Sequence, residues 1–228
     1  MTPKSILASI AFFGVAMFVC GAGASENGLV AHWEMNEGQG DFAHDAGGKG
    51  LDLNISGARW VKQREGFALE FDGIDDVVEC VGTDDLNLTE KVSLEAWVYH
   101  RGLPRSNTSI IQKGRSYSLG TGYGGNLFFA GRSQTPPLLL PDFWHHMVGV
   151  FDGKTVAFYL DGNLIYRADP TQKGPLPDTK NDPLVMASPD ASTIFGGMID
   201  DVRIYNRPLS REEVEANYEA GRSEHLNA

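Results

Sequence analysis

The side chains best suited to chemistry in this 228-residue chain are its carboxylates and a pair of adjacent histidines. Asp72, Asp75 and Asp76 surround Gly73 and read as a turn. Asp200 and Asp201 are adjacent, so on an extended strand they point to opposite faces and cannot be a catalytic pair. Glu95 is the one acid centred in a strongly patterned strand. A partner for it, such as Glu70 or Glu79, would have to come from a neighbouring strand. His145 and His146 also alternate across a strand, and no Ser or Cys is spaced to complete a nucleophilic triad with either. They read as hydrogen-bonded strand histidines beside Trp144. No catalytic residue is therefore assigned.

Two positions suggest binding. Along Val92 to Tyr99, Val92, Leu94, Ala96 and Val98 form an apolar face. Ser93, Glu95, Trp97 and Tyr99 form the other. An acid, a hydroxyl and two aromatic rings suit a sugar-binding surface, where rings stack on the sugar and polar groups fix its hydroxyls. Tyr117, Tyr123 and Asn126 would extend it. The second position is Asp200, which on a regular strand shares a face with Met198, Val202 and Ile204. A carboxylate on an apolar face must be ion-paired, hydrogen-bonded or metal-bound.

The elements that must position these groups are short β runs punctuated by Gly, Asn, Asp and Pro. They are Leu29 to Met35, Ala68 to Phe71, Val77 to Val81, Val92 to Tyr99, Ile110 to Lys113, Tyr117 to Leu119 and Asn126 to Ala130. Trp144 to Phe151, Thr155 to Leu160, Asn163 to Ala168 and Met198 to Tyr205 follow. Asp152-Gly153 and Asp161-Gly162 are tight-turn signals that fold Trp144 to Ala168 into a three-stranded meander. So many half-apolar strands need two sheets to cover them. One helix is specified near the C-terminus. Ser210 and Glu213 form a capping box, Leu209 and Val214 a hydrophobic staple, and Gly221 is placed to end it.

Residues 1–24 read as a secretory signal peptide. Lys4 precedes the apolar run Ile6 to Val19, and Ala22-Gly23-Ala24 is a small-residue cleavage site. The run is shorter than the ~20 residues a membrane span needs. Removal leaves residues 25–228, a length suited to one all-β domain. These carry 18 basic and 30 acidic side chains, with no basic cluster of the kind that phosphate backbones require. Nucleic acid and an anionic membrane are therefore poor partners. Cys20 leaves with the signal peptide, so Cys80 has no internal disulfide partner and reads as a small buried residue.

Several segments together resemble the laminin-G-like members of the concanavalin A-like lectin/glucanase superfamily. They are Trp33-Glu34-Met35-Asn36-Glu37-Gly38, Leu69-Glu70-Phe71-Asp72-Gly73 with Asp75-Asp76-Val77-Val78, and Val92 to Val98. Trp144-His145-His146-Met147-Val148, Tyr159-Leu160-Asp161-Gly162 and Ile199 to Ser210 complete the set. The resemblance implies an all-β, two-sheet antiparallel sandwich of jelly-roll type with a short C-terminal helix. Glucanases of this superfamily carry a Glu-x-Asp-x-x-Glu strand, which is absent here. The expectation is a non-catalytic module, exported and then secreted, periplasmic or surface-bound, that binds carbohydrate in a lectin-like way. A protein-interaction or adhesion domain is the alternative, and a glycoside hydrolase or polysaccharide lyase a lesser one. Some relatives hold a structural Ca²⁺ where the first and last strands meet. The resemblance thus implies a site from Asp200, Glu34 and Asp45, with Glu37, Asp41 and carbonyls of the Asp45 to Gly50 loop as further oxygens.

Overall fold

The computed structural model describes residues 27–102, 107–129, 133–187 and 195–226. The signal-peptide reading of residues 1–24 lies outside them. The strands are β1 (Leu29–Trp33), β2 (Phe42–Ala43), β3 (Leu53–Ser56), β4 (Arg59–Lys62), β5 (Phe67–Asp72), β6 (Val77–Cys80), β7 (Val92–His100) and β8 (Thr108–Lys113). They continue with β9 (Tyr117–Gly122), β10 (Asn126–Phe129), β11 (Ser133–Gln134), β12 (Trp144–Phe151), β13 (Val156–Leu160), β14 (Asn163–Ala168), β15 (Leu184–Met186) and β16 (Gly196–Tyr205). Helix α1 spans Arg211–His225.

Two antiparallel sheets form a sandwich. The first runs β14-β13-β12-β7-β16-β5-β4, with β1 paired to the second half of β16. The other runs β11-β10-β9-β8-β15-β6-β3-β2. Alternation along β7 sends Val92, Leu94, Ala96 and Val98 into the core between the sheets. There they meet Leu119, Phe129, Phe158 and Ile204.

The β12–β13–β14 meander forms as its turns predict, by two different devices. At Asp161-Gly162 both residues adopt positive φ, +50° and +75°, which gives a tight two-residue turn. At Asp152-Gly153 only the glycine does. The Asp152 carboxylate closes a wider loop by accepting the Lys154 and Thr155 N–H groups at 2.8 and 2.6 Å.

The α1 N-terminus follows its sequence signals. Ser210 Oγ accepts the Glu213 N–H at 3.2 Å, and Glu213 accepts the Ser210 N–H at 2.8 Å. Leu209 and Val214 pack in one cluster. The C-terminus corrects the sequence reading. Gly221 does not end the helix, which runs on to His225. A Cβ at Gly221 would overlap the Trp97 indole nitrogen, so glycine is needed there for packing. The helix is thus a third layer, laid on the outer face of the first sheet.

Candidate functional site

Strand β16 carries a bulge that its residue pattern does not signal. Asp200 opposes Trp97 and Arg203 opposes Glu95, so three steps on β16 match two on β7. Asp201 takes the extra position at φ +45°. The bulge reverses the alternation. Val202 and Ile204 face the core, while Asp200 and Arg203 share the outer face with Glu95 and Trp97. Asp200 is therefore not on the apolar face expected of it. It is buried beneath α1, where Oδ2 lies 3.0 Å from His225 Nε2 and Oδ1 accepts the Asp201 N–H at 2.8 Å. Burial raises its carboxyl to about 7, against the opposing pull of His225. Burial lowers His225, but its hydrogen bond to Asp200, the Asp200 charge and the Gly221 carbonyl together outweigh this and hold it above the ordinary histidine range.

Glu95 has no exposed surface. Its oxygens take His146 Nε2 at 3.0 Å, Arg203 Nη1 at 3.0 Å and the Asn217 amide of α1 at 2.9 Å. Burial pushes this carboxyl up, yet the His146 bond and the His146 and Arg203 charges win and hold it low. Trp97 is likewise sealed, stacked on His225 and on Tyr218. Tyr99 lies half-buried against Trp144. The expected sugar face of Glu95, Trp97 and Tyr99 is therefore the seat of a helix. Tyr117 does not extend it. It belongs to the other sheet, faces the core and donates to Leu86 O at 2.8 Å. His145 bonds Asp161 at 2.8 Å and Leu140 O at 3.0 Å, and His146 turns the opposite way to Glu95.

The expected calcium set does not assemble. Asp200 is satisfied by His225. Asp45 accepts four backbone N–H groups, from His32, Gly47, Lys49 and Leu51, and so organises its own loop. Glu34 is exposed. Among the described residues, one other carboxylate cluster could hold a cation. Asp72, Asp75 and Asp76 place ligand atoms within 4.8 Å of one another at the β5–β6 turn.

Asn126 leads to a different face. Gln134, Phe128, Gly120 and Ser109 form one outward row across β11, β10, β9 and β8. Asn126 and Gly122 lie in the next, with Asn107 beside Gly122. The two glycines make room. A Cβ at Gly120 would overlap the Phe128 ring, and one at Gly122 would overlap both asparagine Oδ1 atoms. The ring therefore reaches over Gly120 and is half-buried. Asn126 Oδ1 is buried and has no hydrogen-bond partner among the described residues. A cleft of about 270 Å³ opens here, lined by Asn107, Phe128, Ser133, Gln134 and Thr171. An aromatic platform, amides, a hydroxyl and an unmet acceptor are the components of a site for a polyhydroxylated ligand. Glycines spaced by two at positions 120 and 122, opposite an aromatic strand, are the signal that marks this face in sequence.

Comparison with known proteins agrees with the architecture. Residues 72–215 match a family model described as the concanavalin A-like lectin/glucanases superfamily. Domain 4 of an extracellular arabinanase from Geobacillus stearothermophilus, in complex with arabinotriose, superposes with a TM-score of 0.65 at 19% identity. The match covers 83% of this chain and 98% of that domain. The binding domain of Paraclostridial Mosquitocidal Protein 1 gives 0.68 at 14% identity, over 86% of this chain and 52% of that one. A Trypanosoma rangeli sialidase mutant displaying trans-sialidase activity gives 0.67 at 19%, over 87% and 34%. This chain thus spans about half of the toxin domain and a third of the sialidase. At these identities the likeness is one of fold.

Proposed function

Because this chain belongs to the concanavalin A-like lectin/glucanase superfamily, we propose that it is an exported, non-catalytic carbohydrate-binding module whose ligand lies on the outer face of β8 to β10. The observation that carries the reading is the buried, unpartnered Asn126 Oδ1 two residues along β10 from Phe128, whose ring reaches over Gly120 and lines a cleft. A buried acceptor without a donor costs ~1–3 kcal/mol. A sugar hydroxyl stacked beside Phe128 supplies that donor once the Asn126 amide turns toward the cleft. The arabinanase domain, matched over nearly its whole length, lends support because its structure holds a trisaccharide.

Glu95, the strand-centred acid, is enclosed by His146, Arg203 and Asn217, so it is read as structural. Export follows from the N-terminal signal segment. A protein partner is the second reading. It is favoured by Tyr123, Leu140 and Phe143, all exposed, and by likeness to a toxin binding domain. A glycan array with wild-type protein and Phe128→Ala decides between the two. The proposal expects specific glycan binding that is lost in the variant, with no release of reducing sugar. A blank array, or binding indifferent to Phe128, overturns it.

A further inference from the structure

A second cleft, of about 350 Å³, lies in the loop that leads from β1 into β2. Glu37, Gln39, Gly40, Asp41, Phe42 and His44 line it. Strand β2 is one edge of the second sheet and β11 is the other, so this cleft is remote from the one beside Phe128. Three hydrogen bonds hold the loop in shape. The Trp60 indole N–H donates to Gly40 O at 2.8 Å, the Ile55 N–H to Asp41 O at 2.8 Å, and the His44 N–H to Glu37 Oε1 at 2.7 Å. Alternation along β2 buries Ala43 in the core and leaves the Phe42 ring outside, 52% exposed.

The charges in this cleft are unbalanced. Glu37 Oε2 is buried and has no hydrogen-bond partner among the described residues. Asp41 adds a second, exposed carboxylate. Among the described residues that line the cleft there is no Lys or Arg. The one base, His44, is engaged by Asp52 at 3.1 Å. A carboxylate oxygen taken out of water without a donor is costly. A neutral hydroxyl does not relieve that cost, because a hydrogen bond needs contact and this oxygen is covered. A positive charge does, because Coulomb attraction acts across several ångström and is weakly screened at a part-buried site.

The kind of cation follows from the other groups. Among the described residues, Glu37, Asp41 and His44 do not gather their ligand atoms around one point as a metal ion requires. An exposed ring beside two carboxylates suits an organic cation instead. The ring covers its apolar stem, and the ring face attracts its charge. We infer that this cleft docks a lysine or arginine side chain of a protein partner, with the charged tip against Glu37 and Asp41 and the stem on Phe42. The chain's net charge of −11 steers a basic partner toward it. The inference stands apart from the glycan reading, since the two clefts share no residue.

The test is a nuclear magnetic resonance titration of the protein with two capped tripeptides, Gly-Arg-Gly and Gly-Lys-Gly. The neutral control replaces arginine by citrulline. Saturable shifts are expected at the amides of residues 37–44 with both basic peptides and not with the control, weakening as salt is raised. Glu37→Gln keeps an oxygen for the His44 N–H and removes the charge, and it should lower affinity about tenfold. Asp41→Asn and Phe42→Ala alter exposed side chains, should also weaken binding, and carry the test if Glu37→Gln fails to fold. Phe128→Ala should bind the peptides as wild type does, whatever becomes of glycan binding. No shift at residues 37–44, or equal shifts with the citrulline peptide, overturns the inference. So does binding of glucosamine in place of the peptides, or peptide binding that EDTA abolishes.

Discussion

The His225 imidazole lies parallel on the Trp97 indole, with 4.2 Å between ring centroids and 2° between planes. The same imidazole reaches Asp200 at 3.0 Å through Nε2 and the Gly221 carbonyl at 2.8 Å through Nδ1. The last turn of α1 is therefore held by one side chain that stacks, ion-pairs and closes its own helix. Val214 is the only large apolar side chain of the helix that is fully buried, its other buried positions being Asn217, Gly221 and His225. Polar contacts carry much of this docking, and they respond to pH and to single substitutions.

Docking of α1 should weaken as pH rises through neutrality. Asp200 is raised to about 7 from 3.8, and His225 is raised above 6.5. Both groups hold protons more tightly folded than unfolded. Their contribution is thus fully present below about pH 4 and lost as pH climbs through 7 and beyond. His100, lowered by burial to about 4, acts in the opposite sense over part of this range. The informative quantity is therefore the difference between wild type and Asp200→Asn. Wild type should lose about 5 °C of melting temperature relative to the variant between pH 5 and pH 8. Amide exchange at residues 221–226 should speed up in parallel. Identical pH profiles would show that the pair does not titrate with docking.

Removing Glu95 should be among the most damaging single changes. It leaves Arg203 buried beside Asp201 without its second carboxylate, and it strands His146 and Asn217. Truncating one partner of a buried charge network costs ~3–5 kcal/mol. Glu95→Ala should show that loss in chemical denaturation. Glu95→Gln keeps the shape and one acceptor oxygen, enough for His146 and Arg203 or for Asn217 but not for both, and should lose less. A neutral Glu95→Ala would mean that the network is not what seats the helix.

The strand rhythm, the meander turns and the capping box were all legible because each depends on neighbours in sequence. Glu95 and Trp97 were visible as a polar and aromatic face, but their occupant was not. The contact is made by Asn217, Gly221 and His225, more than a hundred residues away. The bulge at Asp201 was invisible for a related reason. Period-two alternation assumes a regular strand, and one inserted residue moves Asp200 to the other face. Five short strands were also missed, the four-residue β3 and two-residue β11 among them. The two-residue β2 and three-residue β15 are too brief to show a period, and β4 reads as charged surface. Asn126 was picked out for the wrong surface. Strand spacing alone does not say which of two sheets a residue joins.

Gly221→Ala should reverse the usual rule for helices. Alanine favours a helix interior over glycine by ~1 kcal/mol. Here the added methyl overlaps the Trp97 indole nitrogen and lies near the rest of its ring. Trp97 cannot retreat, being packed between His146, His225 and Tyr218. The helix must lift instead, at a cost of ~1–3 kcal/mol for overpacking. A fall in melting temperature, with a change in tryptophan fluorescence, is the expected result. A gain in stability would show that the helix shifts freely over this face.

The cation question now falls on the β5–β6 turn. Burial raises the Asp76 carboxyl, and the charges of Asp72 and Asp75 add to that rise, although the Asp72 N–H it accepts at 2.7 Å opposes it. Asp72 also receives the Ile74 N–H at 2.7 Å through Oδ1. Three carboxylates held this close repel one another unless something positive sits among them. Calcium accepts such a mixture of carboxylate, carbonyl and water oxygens. If it binds here, EDTA should lower the melting temperature and added Ca²⁺ restore it. Asp75→Asn, an exposed change, should abolish the response. Asp200→Asn should leave it intact, because that carboxylate is already committed to His225. A melting temperature indifferent to chelator and to calcium would show instead that the fold tolerates the repulsion through the turn's own N–H groups.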